Sequence, residues 1–496
     1  MQMDASISRR QFIKKSGGAI AALSAMPAAL SSQSMDGLPN IVFIICDQMR
    51  GDAMGCAGDR MARTPHLDRM AEQGIRFRNF FSNSPVCAPS RVSFFTGLYP
   101  HQHGKLTNRS GEFISDLKDS MLGYFRAKGY RLGWVGKNHT YVKDCLEELD
   151  TWKDRGREPF RAYSKYVPPH WHSDTLLPEE SCYPGINTDD SIEFINQAKQ
   201  GEPFFLHVSY FDPHPPYMAP SEYTSQYCSR DMKIPDYIDP AQLSDRLAEQ
   251  QKALHYDQIK ESDLTETLRY YYAAIEYGVD KQVGRILDAL EQKGMLQNTI
   301  VVFTSDHGDF MGHHHMVRKG MFLYDHLLHI PFIMYAPGRL PAGEVVNTCC
   351  QSIDLYPTLV EMTGGKADET LPGRSMVPFV HSEEDPERMV FASAKYSDLP
   401  DGYWSDPEPR LHPESDVPFH TRVERITWKD EQATLMIRNR EWKMILNESR
   451  KPELYHMNDQ HTETRNVVDD PGVQNIRKKL KAELVKVWND PDWKTS

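Results

Sequence analysis

The sequence predicts an α/β fold: a large, mostly parallel sheet sandwiched by helices, followed by a smaller C-terminal α+β subdomain with an antiparallel sheet. Five apolar runs predict the strands of the large sheet, because short unbroken runs of β-forming residues are typical of strands buried on both faces. Helical patterns separate these runs, and alternating strands and helices favour a parallel sheet with helices on both sides. Four of the five runs lead into an ionisable residue, at the sheet edge where α/β proteins bind ligands.

The predicted strands occupy, in chain order, Ile41–Ile45, Leu132–Val135, Phe204–Tyr210, Ile300–Phe303 and Phe332–Tyr335. The first four lead into Asp47, Lys137, Asp212 with His214, and Asp306. Between the strands, Thr64 with Pro65 predicts the start of a helix and Gly74 its end, since Thr is a favoured N-cap and Pro a favoured first-turn residue. A longer helix is predicted over Leu268–Lys293, where one apolar stripe precedes Gly294.

The composition changes from about Ser375 onward. Pro, Asp and Glu are concentrated in Ser382–Pro418, and shorter runs follow near Thr434–Ile437, Trp442–Leu446 and Glu453–Met457. Alternating polar and apolar residues in such runs predict antiparallel strands. We therefore expect an N-terminal domain over residues 38–374 and the C-terminal subdomain over residues 375–496.

The composition excludes several classes of protein. Of 496 residues, 40% are hydrophobic and 25% charged, which is typical of a globular protein and not of a disordered or coiled-coil chain. The formal net charge is −12 and no long basic run occurs, so we expect no nucleic-acid partner. Eight cysteines in this length do not make a disulfide scaffold, although some could pair in an oxidising compartment: Cys145, Cys182, Cys228, Cys349 and Cys350.

The N-terminus has the pattern of an export signal. Arg9 and Arg10 form a twin-arginine motif, and the apolar stretch Gly17–Leu30 precedes a plausible cleavage region. This stretch is too short to cross a membrane comfortably, and no cysteine precedes Cys46, so we expect neither a transmembrane nor a lipid anchor. Residues 1–31 are therefore predicted to be a signal peptide read by the twin-arginine (Tat) machinery, which makes the mature protein periplasmic or secreted.

The most informative motif is the segment from Ser84 to Arg91. Pro89 and Ser90 predict the first turn of a helix, which places Cys87 just before its N-terminus, where free N–H groups and the helix dipole favour an anion. Arg91 adds a permanent charge whose planar fork suits a tetrahedral oxyanion. From these residues alone Cys87 is either a buried cysteine beside a helix cap or an activated thiolate nucleophile.

The same residues carry a family resemblance. Cys87-x-Pro-Ser-Arg, an apolar pair and Thr96-Gly97 resemble the signature of the type I sulfatases of the alkaline phosphatase-like superfamily. The segment Glu453–Met457, with Glu463 and Asn466, is similar to that family's C-terminal signature, and the resemblance spans about Pro39 to Val467. It implies that residues 38–374 are the catalytic domain and that a formylglycine-generating enzyme converts Cys87 to formylglycine during maturation.

The resemblance also implies a divalent metal site. Its ligands are matched here, together with the modified Cys87, by Asp47, Gln48, Asp306 and His307. The family usually holds Ca²⁺, and the hard oxygens suit Ca²⁺ or Mg²⁺, whereas the imidazole of His307 tolerates Mn²⁺ or Zn²⁺ better.

Further residues resemble those that hold the sulfate and assist the leaving group: Lys137, His139, His214 and Lys319. The implied mechanism begins with attack on sulfur by a hydroxyl of hydrated formylglycine, deprotonated with help from Asp306. His214, aided by Lys319, protonates the departing alcohol, and the second hydroxyl then expels sulfate, with His139 as the candidate base. A serine or an unmodified thiol lacks that second hydroxyl.

Two other features have competing interpretations. The run His313–His315 suggests a metal-binding tract, but its spacing before Lys319 favours His314 as a residue that lines the site. The segments Asp212–Tyr256 and Phe391–Arg425 are predicted to set specificity, with three candidate sugar contacts: Trp404, His412 and His420.

The sequence therefore leaves three candidate functions. The first is an exported sulfatase acting on a sulfated carbohydrate, since export suits a polymer that cannot enter the cell. The second is a phosphonate monoester or phosphodiester hydrolase of the same superfamily, in which Asp-Gln at the position of Asp47-Gln48 is common. The third, a glycan-binding protein without catalysis, is disfavoured because the full set of catalytic residues is present.

Overall fold

The computed structural model divides the chain into two units, Met1–Gly37 and Leu38–Ser496. It describes residues 37–108, 111–154, 172–175, 181–235, 247–248, 251, 259–381, 384–394, 433–447, 450–457 and 463–489. The predicted signal peptide over residues 1–31 and the candidate sugar contacts Trp404, His412 and His420 lie outside the described residues, and so does most of Phe391–Arg425. The helices and strands given below all belong to the second unit.

Sixteen strands are described, and we number them in chain order. They are β1 Asn40–Cys46, β2 Ile75–Phe77, β3 Phe80–Phe81, β4 Arg131–Gly136, β5 Thr151–Lys153, β6 His172–Thr175, β7 Phe204–Ser209, β8 Tyr217–Pro220, β9 Thr299–Ser305, β10 Phe332–Tyr335, β11 Glu344–Val346, β12 Cys350–Gln351, β13 Val390–Ala394, β14 Thr434–Arg438, β15 Trp442–Leu446 and β16 Glu453–His456.

The α-helices are numbered in the same way. They are α1 Pro65–Gln73, α2 Cys87–Thr96, α3 Pro100–His103, α4 Met121–Ala127, α5 Lys143–Glu147, α6 Tyr183–Gln197, α7 Ser221–Thr224, α8 Glu261–Ile275, α9 Lys281–Gln292, α10 Asp325–Leu328, α11 Leu355–Met362, α12 Val377–Val380 and α13 Gln474–Asn489.

The large sheet has eight strands in the order β11-β2-β10-β9-β1-β7-β4-β5. All neighbouring pairs are parallel except the two that involve β10, so the prediction of a mostly parallel sheet is confirmed. All five predicted apolar runs form strands of this sheet. Alternate residues of β1 enter different cores, with Val42 and Ile44 on one face and Phe43 and Ile45 on the other, which explains why these runs are apolar throughout.

The predicted antiparallel sheet is also present. Strands β13, β14, β15 and β16 form a four-stranded antiparallel sheet in sequential order, and α13 contacts its middle strands. The division of the chain at residue 374 stays a prediction.

Two local details differ from the sequence-based expectation. The long helix predicted over Leu268–Lys293 is two helices, α8 and α9, joined by a π-helical turn over Glu276–Asp280. Gly278 in this turn faces Asp212, whose Cγ would lie only 2.5 Å from a Cβ at that position, so the wider turn and the absence of a side chain make room for Asp212. In addition, Cys87 is the first residue of α2, and Val86 is the N-cap.

Candidate active site

The carboxyl ends of three strands of the large sheet, β1, β4 and β9, bring the first site residues together. Asp47 follows β1 and Asp306 follows β9, and these strands pair in register up to Cys46 and Ser305. Lys137 follows β4, which is separated from β1 only by β7. Parallel strands end at the same edge of a sheet, and the Lys137 ammonium is accordingly hydrogen-bonded to the Asp47 carboxylate.

Arg91 holds the two carboxylates in place from α2. It is fully buried and donates from Nε to Asp306 Oδ2 at 2.7 Å and from Nη2 to Asp47 Oδ2 at 3.3 Å. Its third nitrogen, Nη1, donates to Ser209 Oγ at 2.7 Å. Because each nitrogen of the planar guanidinium has a different partner, the side chain fixes the separation of the two carboxylates as well as neutralising charge.

Cys87 points into the same group of charges. Its Sγ lies 2.9 Å from Lys319 Nζ, 3.2 Å from His307 Nε2 and 3.6 Å from Asp47 Oδ1. Burial and Asp47 act to raise the pKa of the Cys87 thiol, but Lys137, Lys319 and His307 outweigh them, so the pKa lies well below its usual value. Cys87 thus has neighbours that would stabilise a thiolate, which favours the interpretation as an activated sulfur over that of a cysteine buried for packing.

The two carboxylates differ in their electrostatics. Despite burial, Lys137 and Lys319 hold the pKa of Asp47 well below its usual value. Burial and the neighbouring Asp47 raise the pKa of Asp306, and Arg91 opposes this only partly. For His307, burial lowers the pKa, yet the net shift is upward because Asp306 favours the imidazolium.

This arrangement can hold a divalent cation. One ligand atom from each of Asp47, Cys87, Asp306 and His307 lies within 4.8 Å of the others, and all four residues are buried. Gln48 Oε1 is also buried and has no hydrogen-bond partner among the described residues. A buried amide oxygen without a donor is costly, and a cation among these oxygen and nitrogen ligands satisfies it.

The remaining predicted residues differ in their distance from Cys87. Lys319 bridges Cys87 and His307, with its Nζ 3.3 Å from His307 Nε2. His214 is half-buried, and burial together with Lys319 lowers its pKa well below the usual value. His139 lies half-buried on the loop after β4, two residues beyond Lys137, and its catalytic role stays a prediction.

Comparison with known proteins identifies the family. The sulfatase family model matches residues 39–365. The chain belongs to the sulfatase family. Human iduronate 2-sulfatase is 30% identical over 431 residues, which cover 73% of this chain and 75% of the human protein. An N-acetylglucosamine-6-O-sulfatase of Bacteroides thetaiotaomicron is 26% identical over 424 residues, or 73% of this chain and 75% of that one.

The fold is shared with solved structures. A phosphonate monoester hydrolase of Agrobacterium radiobacter superposes with a TM-score of 0.72 at 23% identity, over 91% of this chain and 96% of that one. This likeness concerns the fold, and it confirms the alkaline phosphatase-like α/β architecture predicted from the sequence. By family this sulfatase is a sulfuric ester hydrolase, as predicted.

Sequence reasoning missed the residues that support the site. Ser209 at the end of β7 binds Arg91, and Ser90 Oγ donates to the Asp306 carbonyl at 2.5 Å. Asn108 Oδ1 accepts the Ala88 N–H at the start of α2 at 2.9 Å. Asp309 binds the Gln48 amide, and it could have been suspected because it belongs to the same motif as Asp306.

Several further expectations concern cysteines, histidines and membrane anchoring. All eight cysteines of the sulfatase lie among the described residues, and no two of them form a disulfide bond there. Within the described part of the chain, His313–His315 do not belong to a metal-ligand cluster, and buried His314 packs against Phe310 and Tyr324 instead. No described helix combines the length and hydropathy that a bilayer crossing requires.

Proposed function

We propose that this protein is an exported sulfatase that hydrolyses sulfate esters of a carbohydrate, using a formylglycine made from Cys87 and a divalent metal. The observation that carries the proposal is the position of Cys87 Sγ. It lies at the N-terminus of α2, within 3.6 Å of Asp47 and 3.2 Å of His307, and in hydrogen-bond contact with Lys319. An oxygen nucleophile formed at this position would have carboxylate, imidazole and ammonium groups around it.

The proposed metal ligands are Asp47, Gln48, Asp306, His307 and the modified residue 87. Three of the protein atoms are amide or carboxylate oxygens, the ligands preferred by Ca²⁺ and Mg²⁺, while His307 also admits Mn²⁺. A divalent cation held there withdraws charge from the sulfate oxygens and orients the nucleophile. Arg91 donates to Oδ2 of both carboxylates, so the Oδ1 atoms of Asp47 and Asp306 are not its partners.

We assign residue 87 to maturation by a formylglycine-generating enzyme. Hydrated formylglycine supplies one hydroxyl as nucleophile and a second hydroxyl through which the sulfate is released. Tat export moves folded proteins, so the modification can precede export from the cytoplasm. This order suits Cys87, which is buried in the folded chain and thus has to be modified before folding is complete.

The cationic residues have separate roles. Lys137 and Lys319 offset the negative charge of the sulfate, which an acidic protein otherwise repels at long range. His214 Nδ1 lies 2.7 Å from the Pro215 carbonyl. A carbonyl only accepts, so Nδ1 carries the hydrogen and Nε2 is the nitrogen that exchanges a proton with the leaving alcohol, aided by Lys319.

A carbohydrate is the proposed substrate class because the relatives named above include sulfatases of iduronate and N-acetylglucosamine. The twin-arginine motif at Arg9 and Arg10 supports a periplasmic or secreted location, where such polymers are encountered. The alternative function within the same superfamily is phosphonate monoester hydrolysis, which the Asp47-Gln48 pair favours.

The first test is the mass of the tryptic peptide Asn79–Arg91 from protein made in a host that carries the maturing enzyme. We expect an aldehyde in place of the Cys87 thiol, and an unmodified thiol in fully active protein contradicts the mechanism. The second test compares the rates at which the protein hydrolyses a sulfate ester and a phosphonate ester that carry the same leaving group. Faster turnover of the sulfate ester supports the proposal, and faster turnover of the phosphonate supports the alternative.

A further inference from the structure

Gln48 occupies an unusual backbone conformation. Its φ is +73°, in the left-handed region that residues other than glycine rarely adopt, and its side chain is fully buried. Its N–H donates to Asp306 Oδ1 at 3.1 Å, so the residue is tied directly to the carboxylate pair. Strain of this kind persists where surrounding contacts fix the residue, and here those contacts act on the amide.

Asp309 fixes one end of that amide. Gln48 Nε2 donates to Asp309 Oδ2 at 2.5 Å, and Tyr217 OH donates to the same oxygen at 2.7 Å. The other oxygen, Oδ1, accepts the Met311 N–H at 2.9 Å. The Asp309 side chain therefore meets three donors, a set that a carboxylate satisfies with both oxygens and that a primary amide cannot.

We propose that Asp309, held by Tyr217, is a positioning residue that sets the orientation of the Gln48 amide, so that Oε1 and not the NH₂ group is presented to the metal. The inference rests on the proposed metal site. Because Nε2 is bound to Asp309, Oε1 is the end without a protein donor among the described residues. Groups that orient metal ligands in this way change metal affinity by roughly 10–100-fold when they are removed.

Asp309→Asn tests the orientation with a change of almost no volume. In one orientation of the amide introduced at position 309, the oxygen accepts the Met311 N–H and the NH₂ group faces Gln48. The Gln48 amide then has to flip, and it presents its own NH₂ group to the metal. If that oxygen faces Gln48 instead, the introduced NH₂ opposes the Met311 N–H, and the site is distorted. Either way we expect Ca²⁺ to bind about 10–100-fold more weakly.

A double variant supplies the rescue. In Gln48→Glu/Asp309→Asn, the introduced amide NH₂ can donate to one oxygen of the new carboxylate, which leaves its other oxygen for the metal. Gln48→Glu alone places two carboxylates at the 2.5 Å contact now made by Nε2 and Oδ2, so it binds Ca²⁺ more weakly than the double variant. Tyr217→Phe removes one of the two donors to Asp309 Oδ2 and has the smaller effect of about a few-fold.

The measurement is calorimetric titration of CaCl₂ into chelator-treated full-length protein, with the unfolding temperature recorded in chelator as the control for folding. The proposal requires weaker binding by Asp309→Asn and recovery in the double variant, with both variants still folded at the titration temperature in chelator. Wild-type affinity in Asp309→Asn, or no recovery in the double variant, overturns it. If Asp309→Asn does not fold, Tyr217→Phe and the double variant decide. If the wild type binds no Ca²⁺, Mn²⁺ or Mg²⁺, the metal site itself is wrong, which is a distinct outcome.

Discussion

Two largely buried groups of charges lie in the same unit of the chain and are built differently. The Cys87 cluster, which is the proposed active site, consists of Asp47, Cys87, Arg91, Lys137, Asp306, His307 and Lys319. The anchor cluster consists of Asp325, Arg438, Lys443 and Glu463, and it joins α10 to the C-terminal sheet. Both are shielded from water, so burial by itself does not distinguish a reactive site from a structural one.

The anchor cluster is held together by ion pairs between its own members. Lys443 Nζ lies 2.6 Å from Asp325 Oδ1 and 2.6 Å from Glu463 Oε1, and Arg438 pairs with the other oxygen of Asp325. Glu463 Oε1 also accepts the Asp325 N–H at 2.7 Å. Two cations thus face two carboxylates, while Glu463 Oε2 is buried without a hydrogen-bond partner among the described residues and Arg438 Nε donates to the Asn439 carbonyl outside the group.

The Cys87 cluster instead converges on one atom, Cys87 Sγ. Lys319 and His307 contact Cys87 Sγ, and Lys137 adds to the positive potential there. Its carboxylates keep oxygens that Arg91 does not use, and Gln48 Oε1 next to them has no described partner. An unpartnered buried oxygen does not distinguish the two clusters, since Glu463 Oε2 is one as well. The difference is that Lys319 and His307 converge on one sulfur atom, which favours chemistry there, whereas the anchor cluster pairs cations with carboxylates, which favours a structural role.

The largest expected effect comes from removing the nucleophile. Cys87→Ala should reduce sulfate ester hydrolysis roughly ten-thousand-fold, since no other side chain at that position can form the attacking group. The unfolding temperature should hardly change, because little volume is lost. Cys145→Ala is the matched control, a buried cysteine outside the cluster that should leave turnover per folded molecule intact. Equal losses in the two variants would remove the distinction drawn for Cys87.

A substitution in the anchor cluster should lower the stability of the protein and leave turnover intact, the opposite of the result expected for Cys87→Ala. Lys443→Met leaves Asp325 and Glu463 with too little positive charge in a buried site and should destabilise the protein by about 3–5 kcal/mol. Turnover per folded molecule should persist, as measured by urea unfolding and assay of the folded fraction. Lys451→Met, which breaks the exposed pair with Asp469, should have no measurable effect on stability. A large loss of turnover in folded Lys443→Met would show that the anchor also serves catalysis.

Much of this contrast could be predicted from the sequence. Asp47, Lys137 and Asp306 could be placed at one edge because the parallel strands before them are recognisable as apolar runs. The anchor cluster was not predicted, since it joins Asp325 to Lys443 and Glu463, and nothing local marks a lysine that will be buried. The π-helical turn at Gly278 was also missed, because the residue that packs against it, Asp212, lies on a loop distant in sequence.

A moderate effect should follow from changing the shape of the arginine without its charge. Arg91→Lys keeps the positive charge but replaces three donor nitrogens, each aimed at a different partner, by one. At least one of Asp47, Asp306 and Ser209 therefore loses the hydrogen bond that it accepts from residue 91. We expect kcat/KM to fall about 100-fold. Arg388→Lys is the matched control, since Arg388 is equally buried but pairs with Asp354. A comparable loss of kcat/KM in the control would contradict a specific role for the Arg91 geometry.

The smallest effect concerns the pH dependence of the anchor cluster. Burial raises the pKa of Glu463 to about 7, with Asp325 adding to the rise and Lys443 opposing it, whereas the ordinary value is 4.5. A carboxyl with a higher pKa in the folded state binds a proton there that the unfolded chain has lost. Its contribution to stability is therefore complete below about pH 4.5 and is lost as the pH rises through about 7.

Glu463→Gln should remove this dependence, because the amide mimics the protonated carboxyl at every pH. The free energy of unfolding of the variant relative to the wild type should rise between about pH 5 and about pH 8, measured by urea unfolding at each pH. Glu387→Gln, at an exposed glutamate that pairs with Lys479 beside the same sheet, should run parallel to the wild type. A constant difference between Glu463→Gln and the wild type across this range would mean that Glu463 is already ionised throughout, and that the anchor cluster is held by charge pairing alone.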